Sequence, residues 1–262
     1  MAGSGRANIN ELTWQEVAAL DLSKDGAIVL PIGSIEQHGP HLSTDCDLVF
    51  SEKFLEMALA QLAPEVKIWR LPMMPISKSN EHVGFQGTWA LSATTLMAVI
   101  KDIALSAKAN GFRRLVLWNC HGGNRALLEV LARDIRMETG LMTFQIFASG
   151  AMPDPLEPLD PREPDYGIHA GEWETSMMMA VAPDRVREDK RDCAFPDFQS
   201  DTLALELTGA TIGWVTADFM TSGTWGDATA ASLERGRARL GPLVERLTAV
   251  LSEIASFEIK QT

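Results

Sequence analysis

The sequence predicts an α/β layered fold, because short apolar runs rich in β-branched residues alternate along it with segments patterned at helical spacing. The central third reads as an unbroken strand–helix–strand–helix–strand passage, which implies parallel strands joined by right-handed crossovers. The bulk composition agrees: of 262 residues, 46% are hydrophobic and 22% charged, ordinary for a globular chain able to bury most of its apolar surface.

Ala27 to Ile32 (AIVLPI) is a strand buried on both faces. In Leu48 to Leu62, Leu48, Phe50, Phe54, Leu55, Ala58 and Leu62 form a broad apolar face at helical spacing. Val66 to Leu71 reads as a second strand. Ser92 to Asn110 is a helix, with Ser92 as N-cap, Leu96, Val99, Ile100, Ile103 and Ala107 on one face, and Gly111 as terminator. Arg114 to Asn119 is a buried strand. Asn124 to Thr139 is a helix that Asn124 can cap and Gly140 stops, and Met142 to Phe147 is the next strand. Met152 to Gly167 carries five prolines and is expected to be an irregular loop. A helix resumes over Gly171 to Val181. Ala231 to Phe257 reads as a long helix or a helix pair, with Gly241-Pro242 as the candidate break. No repeat or linker divides the chain, so a single domain over 1–262 is expected, with the small and polar stretch Met1 to Asn8 flexible.

The net charge of −12 disfavours nucleic acid and anionic membranes as partners, since both select for Lys and Arg. Three cysteines (Cys46, Cys120, Cys193) do not make a disulfide framework, which points to a reducing compartment. No signal-peptide pattern and no apolar run of membrane-spanning length is visible, so a cytoplasmic protein acting on a small-molecule substrate is expected.

The five histidines, His38, His41, His82, His121 and His169, each lie beside acidic, Gly or Asn residues, several where a predicted strand ends. Ligands of open α/β sheets bind at the carboxyl ends of strands, so one shared site is suggested. Glu36 and His38 follow the first strand, and in extended backbone two such residues point to the same side. Asp47 returns after a Gly-Pro turn. Mixed carboxylate and imidazole donors suit zinc, manganese or iron. The alternative is a polar loop with two surface histidines. His121 lies just past the strand Arg114 to Asn119, followed by two glycines that let the backbone pass close to a bulky group. His169 precedes Glu172, Trp173 and Glu174 at a helix start, where carboxylates are also expected from the helix dipole alone. Cys120 reads as a core residue pointing away from His121.

The stretches Pro31 to Asp47 (PIGSIEQHGPHLSTDCD), Glu81 to Leu91 (EHVGFQGTWAL), Asn119 to Asn124 (NCHGGN), His169 to Ser176 (HAGEWETS) and Gly223 to Gly236 (GTWGDATAASLERG) resemble the creatininase (creatinine amidohydrolase) family. The resemblance implies a three-layer α/β/α sandwich with a mainly parallel sheet, a homo-oligomer (hexameric in many members), and two divalent ions per chain, zinc, manganese or iron. By position, Glu36 and His121 would hold one ion, His38 the other, and Asp47 would bridge them. His169 matches a histidine that passes a proton to the leaving group.

Creatininases carry a metal-binding Glu where this chain has Gly123, so Glu172 or Glu174 is the expected replacement: Glu174 as ligand, Glu172 as a second candidate proton donor. The tryptophans that clamp creatinine are absent from Met152 to Ile168, which makes creatinine a poor fit. His41, His82 and Trp173 are the candidate substrate-binding residues. The implied activity is hydrolysis by metal-activated water of a small polar cyclic amide or other non-peptide C–N bond. The alternatives are ring opening of a cyclic diketone of the oxidised-inositol type, and a non-catalytic metal- or ligand-binding protein.

Overall fold

A computed structural model describes residues 8–22, 26–206 and 209–260. Four parallel strands, β1 (Ala27–Ile32), β2 (Ile68–Arg70), β3 (Arg114–Asn119) and β4 (Met142–Phe147), form a sheet in the order β2-β1-β3-β4. Strand β2 is shorter than the apolar run that predicts it. Register sets Ile32 beside Asn119 and Asn119 beside Phe147, so β1, β3 and β4 end at one sheet edge.

Side-chain alternation loads both faces. Ala27, Val29, Val116 and Trp118 pack under the helices α2 (Cys46–Gln61), α6 (Glu172–Val181) and α7 (Leu233–Ser256). Ile28, Leu30, Leu115 and Leu117 face α3 (Ala93–Ala109) and α4 (Arg125–Thr139). The result is the three-layer α/β/α sandwich, and truncating one of its fully buried Leu or Ile side chains to alanine would cost about 2–5 kcal/mol. Trp118 ties the layers together: its indole N–H donates to the carbonyl of Ser51 on α2 at 3.1 Å.

Helix boundaries follow local chemistry. The Ser92 side chain accepts from the Thr95 N–H, and Gly140 takes the left-handed conformation that ends α4 (φ 78°). Asn124 does not cap α4 with its side chain, which is engaged elsewhere. Of the two readings of the last segment, the single long helix is the one observed, and α7 runs through Pro242 without a break. Proline in a helix interior costs about 3 kcal/mol, and the buried Leu243, Val244, Leu247 and Leu251 that follow it offset this by packing on α2 and α6. The proline-rich loop contains one helical turn, α5 (Glu163–Tyr166), with Pro164 in its first turn where the missing N–H does no harm. Two further short elements are the helix α1 (Trp14–Ala18), with a Thr13–Glu16 capping box, and the antiparallel pair β5 (Cys193–Ala194) and β6 (Gly226–Asp227).

Of the segment expected to be flexible, residues 1–7 lie outside the described residues, and Asn8 bridges Arg70. Among the described residues, no helix is long and apolar enough to cross a membrane.

Candidate metal centre

Loops at the carboxyl ends of β1 and β3 converge with the start of α6. After β1 the chain turns at Gly39 (φ 65°) and re-enters at α2, whose first turn carries Asp47. The Glu36 N–H donates to the Thr44 carbonyl at 2.8 Å, closing this loop on itself. After β3, the Asn119 side chain donates to the His121 carbonyl (2.7 Å) and accepts from the His121 N–H (3.3 Å). Asn124, instead of capping, donates to Ser77 Oγ (2.9 Å) and accepts from the Lys78 N–H (3.2 Å), which brings segment 77–82 against His121. His169 is held by a bridge to Trp225. Ala170, next to it, is left-handed (φ 54°), a strain of order 1–2 kcal/mol for a residue with a Cβ. That conformation aims its N–H at Glu174 Oε2, 2.5 Å away.

The side chains meet at short range. Glu36 Oε1 lies 3.1 Å from His121 Nδ1, 3.4 Å from His82 Nε2 and 3.8 Å from His169 Nδ1. Asp47 Oδ2 is 3.1 Å from His121 Nδ1, while its Oδ1 is 3.7 Å from His38 Nε2. Glu174 Oε2 is 3.9 Å from His38 Nε2. Two sets of three donors each fall within 4.8 Å, Glu36–Asp47–His121 and His38–His169–Glu174, and Asp47 reaches both. Glu36, His82 and His169 form a third such set.

Backbone carbonyls fix which nitrogens face inward. A carbonyl only accepts, so the ring nitrogen against it carries the proton. His121 Nε2 lies 2.8 Å from the Lys78 carbonyl, His38 Nδ1 3.1 Å from that of Glu36, and His169 Nε2 2.6 Å from that of Gln37. In its neutral form each ring therefore presents the lone pair of the opposite nitrogen to the cluster, the arrangement that metal-binding imidazoles need. His82 differs. The Gln37 amide accepts from the Gly39 N–H through Oε1, so its Nε2 donates, to the Gly223 carbonyl and to His82 Nδ1 (2.9 Å). His82 then points an N–H, not a lone pair, at Glu36.

The atoms so aimed lack partners. Glu36 Oε1, His38 Nε2 and Asp47 Oδ2 are buried without a hydrogen-bond partner among the described residues. Such groups are costly to bury unless something absent from the protein compensates them. The electrostatics demand positive charge at the same place. Burial works against a charged His121, yet Glu36, Asp47 and Glu81 outweigh it and raise its pKa well above the usual value. His38 is raised likewise, burial being overcome by Cys46 and Asp47. Glu174 is pushed up to about 7 by burial, opposed by His38 and reinforced by Asp47. Burial, with His38 and His82, holds His169 well below the usual range, so it stays neutral. The donor set fits divalent ions of the zinc, manganese or iron kind.

Two expectations are corrected. Glu172 is not at the centre. Its Oε1 accepts from Arg235 Nε (2.8 Å) and Arg239 Nη1 (2.8 Å), and its Oε2 from Arg239 Nη2 (2.7 Å). Residues two apart on a helix point about 200° apart, so with Glu174 facing the cluster, Glu172 faces α7. His41 does not line the cleft. It is buried against Thr175, 2.8 Å from its Oγ1, and its carbonyl accepts from the Arg187 N–H. His82 and Trp173 do line the cleft, with Trp173 edge-on to Phe50. Cys46 and Cys120 are buried free thiols, and Cys193 is exposed.

Sequence reasoning missed Glu81. Its Oε1 lies 3.3 Å from His121 Nε2, and Lys78 Nζ donates to its Oε2 at 3.1 Å. Burial alone would raise its carboxyl, but His121 and Lys78 lower it to about 2. A Cβ at position 123 would lie 1.7 Å from Glu81 Oε1 and 2.6 Å from His121 Nε2, so glycine at 123 is what admits this carboxylate. The signal lay in the pairing of that glycine with an acid beside His82, and only the fold brings the two together.

The cluster floors a cleft of about 1230 Å³, walled by Phe147, Tyr166, Trp173, Phe198 and Trp214.

The creatininase family model, described as creatinine amidohydrolase, matches residues 10–251. The chain is 29% identical to the creatinine amidohydrolase of Pseudomonas putida over 94% of this chain and 96% of that one. It is 31% identical to the mycofactocin precursor peptide peptidase of Mycobacterium tuberculosis (strain ATCC 25618 / H37Rv) over 85% and 83%. A crystal structure of creatinine amidohydrolase (creatininase) superimposes with a TM-score of 0.76 over 95% of this chain and 98% of that one; at 24% identity it speaks for the fold alone. With the family model spanning nearly its whole length, the chain belongs to the creatininase family and is a metal-dependent hydrolase.

Proposed function

We propose that the protein hydrolyses a C–N bond of a small polar amide, in the first instance a cyclic one other than creatinine, with two divalent ions of zinc, manganese or iron per chain. The observation that carries this reading is the trio of buried, unpartnered donor atoms on Glu36, His38 and Asp47 that face one another at the cleft floor. Glu36, Asp47 and His121 would hold one ion. His38 and Glu174 would hold the other, with Asp47 between. When bound, such ions supply a water acidic enough to ionise near neutral pH and positive charge beside the scissile carbonyl.

The chain's own residues do the rest. His169, neutral and with its Nδ1 lone pair turned inward, accepts a proton and returns it to the departing nitrogen, while the Gln37 carbonyl steadies the ring through Nε2–H. His82 keeps its Nε2–H turned toward Glu36, 3.4 Å from Oε1, and so adds positive polarity beside that carboxylate. Trp173 and Trp214 line the cleft, where aromatic walls would keep bulk water from the floor and pack against a planar amide. These walls take the place of tryptophans missing from Met152 to Ile168.

A peptide-like amide is the second reading, favoured by size: the cleft of about 1230 Å³ exceeds the ~300–1,000 Å³ usual for small-molecule sites. The same proposal includes a single domain over 1–262, a homo-oligomer of hexameric kind as the resemblance implies, and a cytoplasmic location suited to free thiols.

The test is metal removal with a substrate panel of cyclic amides, formamides, short peptides and cyclic polyol ketones. Chelation should abolish turnover, manganese or zinc should restore it, and Glu36→Gln or His121→Ala should lose metal by elemental analysis. Undiminished turnover by a metal-free sample would refute the mechanism, and turnover of the ketones alone would refute the bond.

A further inference from the structure

The wall of the cleft carries one feature that amide hydrolysis alone does not use. Among the charged groups of the lining carboxylates predominate, and among the described residues only two Lys or Arg side chains join them, Lys78 and Arg125. Lys78 is engaged, donating to Glu81. Arg125 is not. It follows the His121-Gly122-Gly123-Asn124 turn as the first residue of α4, and it is half-buried. Its guanidinium lies 4.5 Å from the centroid of the Phe147 ring and makes no hydrogen bond or ion pair among the described residues. Glu206, also in the lining, has its carboxyl raised by burial, which Arg125 partly opposes, but the two form no ion pair.

An arginine stacked on an aromatic ring has its planar fork held in place with its five donors unspent. Beside a hydrolytic centre, such a fork is pre-set for a planar, two-oxygen anion. The surrounding carboxylates repel a doubly charged phosphate far more than a single carboxylate, so they narrow the choice. We propose that Arg125 anchors a carboxylate of the substrate, and that the protein therefore acts on amides bearing a free carboxylate, such as N-acyl amino acids or the carboxyl end of a short peptide. This rests on the amide-hydrolase reading above, with the scissile bond at the floor and the carboxylate on the Phe147 side.

The experiment uses the metal-loaded protein and straight-chain hydroxamic acids of matched lengths, one series ending in a carboxylate and the other in a methyl group. Binding is read by calorimetry. At one chain length or more, the carboxylate-ended probe should bind at least tenfold tighter than its methyl partner. Arg125→Met should abolish that preference while leaving methyl-ended probes bound as before, which also reports an intact fold, and Arg125→Lys should restore part of it. Equal binding of both series at every length, or a preference that survives in Arg125→Met, overturns the assignment and leaves the metal centre standing. If neither series binds, the metal reading falls and this inference with it.

Discussion

Replacing Gly123 by alanine is expected to cripple metal binding without unfolding the protein. The added methyl would sit 1.7 Å from Glu81 Oε1 and 2.6 Å from His121 Nε2, both impossible contacts. The Glu81 carboxylate ends a side chain and can swing away. The His121 ring has less freedom, because Nε2 is tied to the Lys78 carbonyl at 2.8 Å and Nδ1 lies 3.1 Å from both Glu36 and Asp47. The variant thus loses the carboxylate behind the ring and tilts the ring itself. Disturbing the partners of a metal-bound histidine weakens affinity about 10–100-fold. With both effects present the upper end is expected, about 2.7 kcal/mol at 1.36 kcal/mol per tenfold. Competition of the purified variant against a chromophoric zinc chelator measures this directly, with a thermal melt of the metal-free protein as the control for folding. In Glu81→Ala/Gly123→Ala, part of the loss should return, because one clash is gone. Wild-type affinity in Gly123→Ala would mean that the ring does not sit where a Cβ would strike it, and the account of His121 would fail.

Glu81→Gln, which keeps the shape and removes the charge, should weaken metal binding by only about tenfold because the Lys78 carbonyl remains; an unchanged dissociation constant would contradict the role given to Glu81. Glu172→Ala should cost about 1.5–3 kcal/mol of stability, because Arg235 loses its carboxylate and Arg239 keeps only Asp154, yet retain full metal content; a metal-free but stable variant would return Glu172 to the centre. Burial raises the Glu172 carboxyl, but Arg239, Arg235 and Ser176 outweigh it and set it below its usual value. Its contribution is therefore present above the unfolded pKa and fades as pH falls through the folded one. In urea titrations the gap between wild type and Glu172→Gln should accordingly narrow below about pH 4. Metal binding near pH 7 should release protons, since His38 and His121 are held cationic before the ion enters and must be neutral to bind it. Calorimetric titrations in buffers of different ionisation enthalpy would then differ in heat, and identical heats would argue against the charged pair.

The sheet and its helices were readable because their signals are local. The short apolar runs of β1, β3 and β4, the Ser92 cap and the Gly140 stop each depend on a few neighbouring residues. Pro242 left the last segment open between one helix and two, because its penalty is local while the packing that absorbs it comes from α2 and α6. Glu36, His38, Asp47 and His121 were legible from their places after strand ends, and the structure brings those side chains together. Glu172 was avoidable: helical geometry forbids residues 172 and 174 from sharing a face. His41 shares its loop with His38 but turns toward Thr175, a choice that rests on a contact 134 residues away. Glu81 and Arg125 owe their positions to the tie between Asn124 and Ser77 and to the ring of Phe147. No short-range pattern encodes either.

The three rings that turn a lone pair inward lean on main-chain oxygens of Lys78, Glu36 and Gln37. A main-chain oxygen neither titrates nor changes when its residue is substituted. Orientation of the reactive nitrogens is thereby uncoupled from the identity of the surrounding side chains. The cleft walls are free to diverge toward new substrates while the centre beneath them keeps its wiring, so a single scaffold can serve unrelated amides without rebuilding its catalytic floor.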